Sequence, residues 1–199
     1  MTFWSALFGG LLGLIFGVGL VITAPNGITP NRTLFWLLDK IVSIFRAVPF
    51  IILLAAIAPF TKLLVGTQIG TTAALVPLSL GVFPFYARQV QVALSEVDGG
   101  IVEAAQSVGA SFWDIVFGVY LREGRSEIIR VSTVTLISLI GLTAMAGAIG
   151  AGGLGNMAIS YGYNRFATDT TWFATILVLI LVLIVQVVGD YLAKKLSHK

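Results

Sequence analysis

The stretch TWFATILVLILVLIVQVVG, residues 171–189, carries no charge until Asp190 follows it. Apolar runs of about 18 residues or more are long enough to cross the hydrocarbon core of a bilayer. Four further runs answer to the same description. Phe3 to Ala24 is uncharged, Ile41 to Phe60 is interrupted only by Arg46, and two more lie between Ile69 and Tyr86 and between Val131 and Ala151. All five are continuous where barrel strands would alternate apolar and polar residues, so they read as helices. The first lacks the basic start of a cleaved leader and is taken as a true span. Its Gly9, Gly13 and Gly17 recur every four residues along one face, which lets another backbone approach closely. The fold class expected is an all-α membrane protein with five transmembrane helices, one domain over residues 1–199.

Composition agrees. Of 199 residues, 57% are hydrophobic and 11% charged, against roughly 25% charged in an ordinary soluble domain; the mean hydropathy is +0.98. Too little polar surface exists to cover a water-soluble globule, which sets aside soluble enzymes, disordered segments and nucleic-acid binders. There is no cysteine, and the one histidine, His198, is in the tail. Disulfides, thiolate nucleophiles and ordinary metal sites are left without ligands, and an intramembrane enzyme has no nucleophile–base pair.

Charge sets the orientation. With the N-terminus outside, Arg32, Lys40, Arg88, Arg122, Arg125, Arg130, Lys194, Lys195 and Lys199 flank inner ends, against Lys62 and Arg165 outside. The reverse arrangement violates the positive-inside rule. The expected topology is N-out, C-in.

Between the third and fourth runs lies a 44-residue inner segment, Ala87 to Arg130, holding six of the nine acids. A loop of this length is usually functional or structured. Ile101, Ala105, Val108, Phe112, Ile115 and Val119 are spaced as on helices. Gly109 divides the pattern, and Ser111 with Asp114 gives a helix start signal. Two short amphipathic helices with a bend are expected. Their surface either packs beneath the bundle or presents a knob to a cytoplasmic partner.

Glu103-Ala104-Ala105, three residues, Gly109, nine residues, and Val119-Tyr120-Leu121 together resemble the conserved loop of binding-protein-dependent ABC importer permeases. The family pattern commonly places proline after the leucine, where this chain has Arg122, and Gly124 offers a break instead. Two alanines keep such a helix slim, Gly109 permits a sharp turn, and Glu103 suits the positive end of a helix or a basic partner group. The stretches Arg46–Leu54, Gly147–Gly155 and Tyr161–Phe166 are similar to the methionine-importer branch, and the similarity runs through nearly the whole chain. The resemblance implies a type I importer permease fold in a bacterial cytoplasmic membrane. Glu103, Ala104, Ala105, Gly109 and Leu121 would dock on an ATPase subunit. It further implies two such ATPases binding ATP and Mg, no cofactor in this chain, and an extracytoplasmic binding protein. Five spans enclose too little for a full pathway, so two copies are expected to pair about a two-fold axis.

Several residues bear on a pathway or gate. Gly150, Gly152 and Gly155 satisfy G-x-G-x-x-G, but a dinucleotide site needs a strand before it and a helix after it. A gate or break that includes Gly150, Gly152 and Gly153 suits the outer end of span four better. No P-loop motif occurs. Arg46 lies about one turn from the inner end of its run; it either snorkels to the interface or faces the pathway. Pro49, Pro59, Pro77 and Pro84 are expected to kink spans two and three. Met145 and Met157 offer soft contacts to a thioether, or simple packing. An ion-driven secondary transporter is the competing reading, weakened by the absence of carboxylates deep within the runs.

Overall fold

The computed structural model describes residues 1–197. His198 and Lys199, the lone imidazole and the last of the basic residues assigned to the inner side, lie outside them. No strand occurs among the described residues. The axis is α5 (Thr71–Ser95), more than half of whose 25 residues are buried. Against it lies α1 (Thr2–Thr23). A Cβ on Gly13 would fall 2.8 Å from the Phe83 carbonyl oxygen, one on Gly17 2.7 Å from that of Ala87, and one on Gly9 would collide with Val82. The four-residue glycine repeat is thus the seam where the two backbones touch, and any side chain there would hold them apart.

The run from Ile41 to Phe60 is not one helix. It is divided among α2 (Arg32–Ala47), α3 (Phe50–Ala56) and α4 (Ala58–Val65). Pro49 cannot donate to the preceding turn and holds Val48 extended, at ψ 120°. Pro59 stands in the first turn of α4, where a missing N–H costs nothing. Pro77 and Pro84, by contrast, lie inside a continuous α5. The Asn31 side chain accepts the Leu34 N–H at 3.0 Å, which starts α2 earlier than the apolar run does.

After α5 come α6 (Gly99–Ser107), a π-helical stretch Asp114–Tyr120, and one short turn, α7 (Leu121–Glu123). The chain passes into α8 (Arg125–Ala146) through Gly124, which keeps near-helical angles. Arg122 does not force an exit as proline would, and Gly124 serves instead as a contact point. A Cβ there would sit 2.6 Å from Leu94. Past α8 the helix unwinds at Gly147–Ala151, turns back through α9 (Gly153–Asn156), and reaches α10 (Thr168–Leu196).

Among the described residues, three helical stretches are long and apolar enough to cross a membrane: Thr2–Thr23, Arg125–Ala151 and Thr168–Leu196. The helix α5 is as long, but Ser79, Gly81, Arg88 and Gln91 dilute its apolarity; its neighbours, rather than lipid, surround it. The helix α10 is its opposite. Only Ala174, Gly189 and Ala193 are buried, while Leu183, Ile184 and Val187 stand more than half exposed. A helix apolar all round belongs in the core of a large protein or in a membrane.

Met1 and Leu196 lie at opposite ends of the bundle. Met1 approaches Gly153 and helps line a cavity with Thr71 and Leu154. The Arg125 Nε–H donates to the Leu196 carbonyl at 3.1 Å and the Ser126 hydroxyl to that of Ala193 at 3.0 Å. The loop after α1 (Ala24 to Ile28) shares this second end with α6, across a cavity of about 610 Å³.

Candidate functional site

At that second end, α6 is capped by Asp98, whose carboxylate accepts the Gly100 N–H at 2.8 Å. It ends at Ser107, and Gly109 then turns the chain at φ +79°, a conformation that favours glycine. Beyond the turn, Ser111 and Asp114 cap each other. The Ser111 N–H and hydroxyl donate to Asp114 Oδ2 at 3.0 and 2.6 Å, and the Asp114 N–H donates to Ser111 Oγ at 3.3 Å. The Ser111 hydroxyl bond and then its backbone N–H bond hold the Asp114 carboxyl below the usual range.

Val102, Ala105, Ile115, Val119, Tyr120 and Leu121 pack inward with Val21, Val90 and Leu94. The helical pattern had included Ile101 and Val108 in this buried face; both are exposed, Val108 by 85%. The helix stops one residue before Val108, so the residue rides the outside of the turn. Glu103, Ala104 and Gly109 are exposed beside it. Ala105 and Leu121 are not, and they anchor the knob from within. Trp113 and Phe117, stacked at 5.6 Å, extend the exposed apolar surface.

A second feature lies between α2, α3, α5 and α8. The Phe45 ring meets Phe83 edge-on at 5.4 Å. Phe50 lies against Gly81, where a Cβ would come within 3.0 Å of its ring. Phe45, Arg46, Phe50, Phe85, Ser138 and Leu142 line a cavity of about 310 Å³ there. Arg46, in the last turn of α2, is exposed and has no ion pair or side-chain hydrogen bond among the described residues. Because α2 begins at Arg32, Arg46 stands about four turns along its helix rather than one turn from its start. Pro49 is exposed at the break just beyond it.

About two turns earlier along α2, Asp39 receives the Arg88 guanidinium at 2.6 Å, with Gln91 Oε1 at 2.6 Å and Ser43 Oγ at 3.3 Å completing the group. This pin between α2 and α5 was missed in the sequence. Its two charges stand 49 residues apart near the ends of different runs, and each alone looks like a flanking charge.

At the opposite end, Gly150, Gly152 and Gly153 take φ +97°, +81° and +77°. Gly155 is pressed onto the Ala144 backbone. A helix rather than a strand precedes them, so the βαβ context of a dinucleotide site is missing. Met145 is exposed on α8 and Met157 half-buried in the return segment. Among the described residues, no group of three or more His, Cys, Asp or Glu is placed to hold a metal.

The family model described as binding-protein-dependent transport system inner membrane component matches residues 9–198. The chain belongs to this family.

Among relatives of this inner membrane component, the Probable D-methionine transport system permease protein MetI of Pasteurella multocida is 46% identical over 199 residues, 100% of this chain and 92% of its own. The Methionine import system permease protein MetP of Bacillus subtilis is 46% identical over 180 residues, 90% of this chain and 81% of its own. A solved chain from the inward facing conformations of the MetNI methionine ABC transporter superposes with a TM-score of 0.97 at 43% identity, covering 100% of this chain and 92% of that one. An amino acid ABC transporter crystallised with histidines shares the fold, with a TM-score of 0.76 at 18% identity, over 98% of this chain and 88% of its own.

Proposed function

We propose that this chain is the membrane permease subunit of an ATP-driven importer of methionine, one transmembrane domain over residues 1–199 that crosses a bacterial cytoplasmic membrane five times, N-out and C-in. The observation that carries the reading is the match to methionine permeases over the full chain, at 46% identity, together with a knob suited to a protein partner. Met1 and Leu196 at opposite ends of the bundle favour an odd number of crossings. The basic residues Arg32, Lys40, Arg122, Arg125, Lys194 and Lys195 favour the knob end as the cytoplasmic one.

Two copies pair about a two-fold axis, because five spans enclose too little for a full pathway. Two ATPase subunits hold ATP and Mg and grip the exposed Glu103, Ala104 and Gly109, with Ala105 and Leu121 stiffening the grip from behind. An extracytoplasmic binding protein delivers substrate to the far end. There the left-handed Gly150, Gly152 and Gly153 form the gate, flanked by Met145 and Met157. Arg46 and Pro49 border the path. Closure of the ATPases pushes the knob, and the spans switch between discrete packings.

Co-purification with the ATPase and binding protein, followed by uptake of labelled methionine against other amino acids, tests the reading. ATP-dependent uptake selective for methionine is expected. Active transport by this chain alone, driven by an ion gradient, would instead establish a secondary transporter.

A further inference from the structure

Among the described residues, Arg46 is an unpaired cation placed at the middle of the bundle. Its neighbour Phe45 packs on Phe83, and Phe83 stands twelve residues from either end of α5, about 18 Å along the axis in each direction. Arg46 therefore lies within the apolar part of the bundle, more than one helical turn inward of the Asp39–Arg88 pair. The Asp39 carboxylate is engaged by Arg88, and among the described residues no carboxylate pairs with Arg46. A charge within an apolar span is costly, by roughly 2.5 to 3.5 kcal/mol at the bilayer centre on insertion scales, unless it faces water or a counter-ion. The cavity it borders, about 310 Å³, lies within the roughly 300–1,000 Å³ typical of small-ligand sites, and three phenylalanine rings, Phe45, Phe50 and Phe85, are part of its otherwise mostly apolar lining.

We infer that Arg46 holds the α-carboxylate of the amino acid in transit while the Phe45, Phe50 and Phe85 rings receive its side chain; this rests on the importer reading above. A guanidinium presents donors in a fork that matches both carboxylate oxygens. Aromatic edges attract a thioether sulfur. Gly81 makes room for this, since a Cβ there would press on the Phe50 ring and drive it toward the cavity. The site binds the part of the substrate common to all amino acids by charge and selects the side chain by apolar contact.

The test uses a diazirine analogue of methionine, photolysed during ATP turnover in the assembled complex of permease, ATPase and binding protein, with adducts mapped by mass spectrometry. Adducts are expected within residues 45–53 and 81–85. Arg46→Gln should lower their yield about tenfold or more, the loss of a charge-assisted pair, and Arg46→Lys should retain part of it. Adducts only elsewhere, or an unchanged yield in Arg46→Gln, would overturn the inference. If Arg46→Gln does not assemble, the wild-type map and Arg46→Lys decide it. Wild-type uptake of methionine is read in the same vesicles, so failure of the importer reading shows separately as absent ATP-dependent uptake.

Discussion

The seam between α1 and α5 and the arm formed by α2, α3 and α4 pack on the same central helix by opposite means. Among the described residues the seam has no side-chain hydrogen bond or ion pair between the two helices, and the buried Ser5 hydroxyl on the same face has no partner. Gly9, Gly13 and Gly17 bring backbone against backbone, so nothing in it can shift without opening a void. The arm is broken at Val48–Pro49 and again at Ile57, and it is held to α5 by separate pins: Asp39 to Arg88, Phe45 to Phe83, and Phe50 over Gly81. The contrast teaches that this fold separates a rigid half from a hinged half. The cavity, the unpaired Arg46 and the exposed Pro49 all belong to the hinged one.

The seam is broken most severely by adding a side chain. Gly13→Leu should cost several kcal/mol, more than the roughly 1–3 kcal/mol of ordinary overpacking because backbone atoms lie in the way. Gly10→Leu, where a Cβ would meet nothing within 4 Å, should leave the thermal melt of the purified complex nearly unchanged. Equal losses at both positions would mean that close approach is not what holds the seam.

The arm is probed at its polar pin. Arg88→Ala should lower the melting midpoint by an amount equivalent to about 1 kcal/mol, discounted for side chains still a quarter exposed. Methionine uptake should fall further than stability, because the arm loses its register on α5. Asp39→Ala should match it, and the double variant should cost less than the sum. Full additivity would deny that the two residues act as a pair.

The knob sits between these extremes, since it is tied down inside but free at its tip. Gly109→Val forces a β-branched residue to φ +79°, at a cost on the order of 1 kcal/mol. ATP hydrolysis should then proceed with little methionine transport, measured side by side in vesicles. The smallest effect concerns acid. Asp114 is depressed below the usual carboxylate range in the folded chain, so its capping is fully present above that range and is lost as pH falls through the depressed value. Hydrogen exchange across residues 112–123 should quicken at that point, and Asp114→Asn should remove the pH dependence.

The same contrast explains what was legible in the sequence. The glycine repeat of α1, the Ser111–Asp114 cap and the runs that became α1, α8 and α10 depend on local spacing, which a linear reading sees. In the second run Pro49 and Pro59 signalled a kink, but hydropathy alone did not reveal that the chain leaves the helix altogether at Val48 or that α2 begins at Arg32. Val108 fitted a helical stripe but fell just past the last helical residue, where the Gly109 turn decides its direction. The depth of Arg46 and its open cavity depend on which turn of α5 it faces. That is a tertiary fact, as is the Asp39–Arg88 pin.

The central claim is that the knob is gripped from the cytosol by a nucleotide-hydrolysing partner. The chain has no cysteine, so Val108→Cys carrying a photoreactive maleimide probes a single site at the tip. Photolysis of the complex in sealed vesicles should yield one covalent product with the ATPase subunit, at a level that changes between the ATP-bound and nucleotide-free states. Labelling of the introduced thiol by an impermeant reagent from the external face, or photolysis that captures no ATPase subunit in either state, would contradict the account.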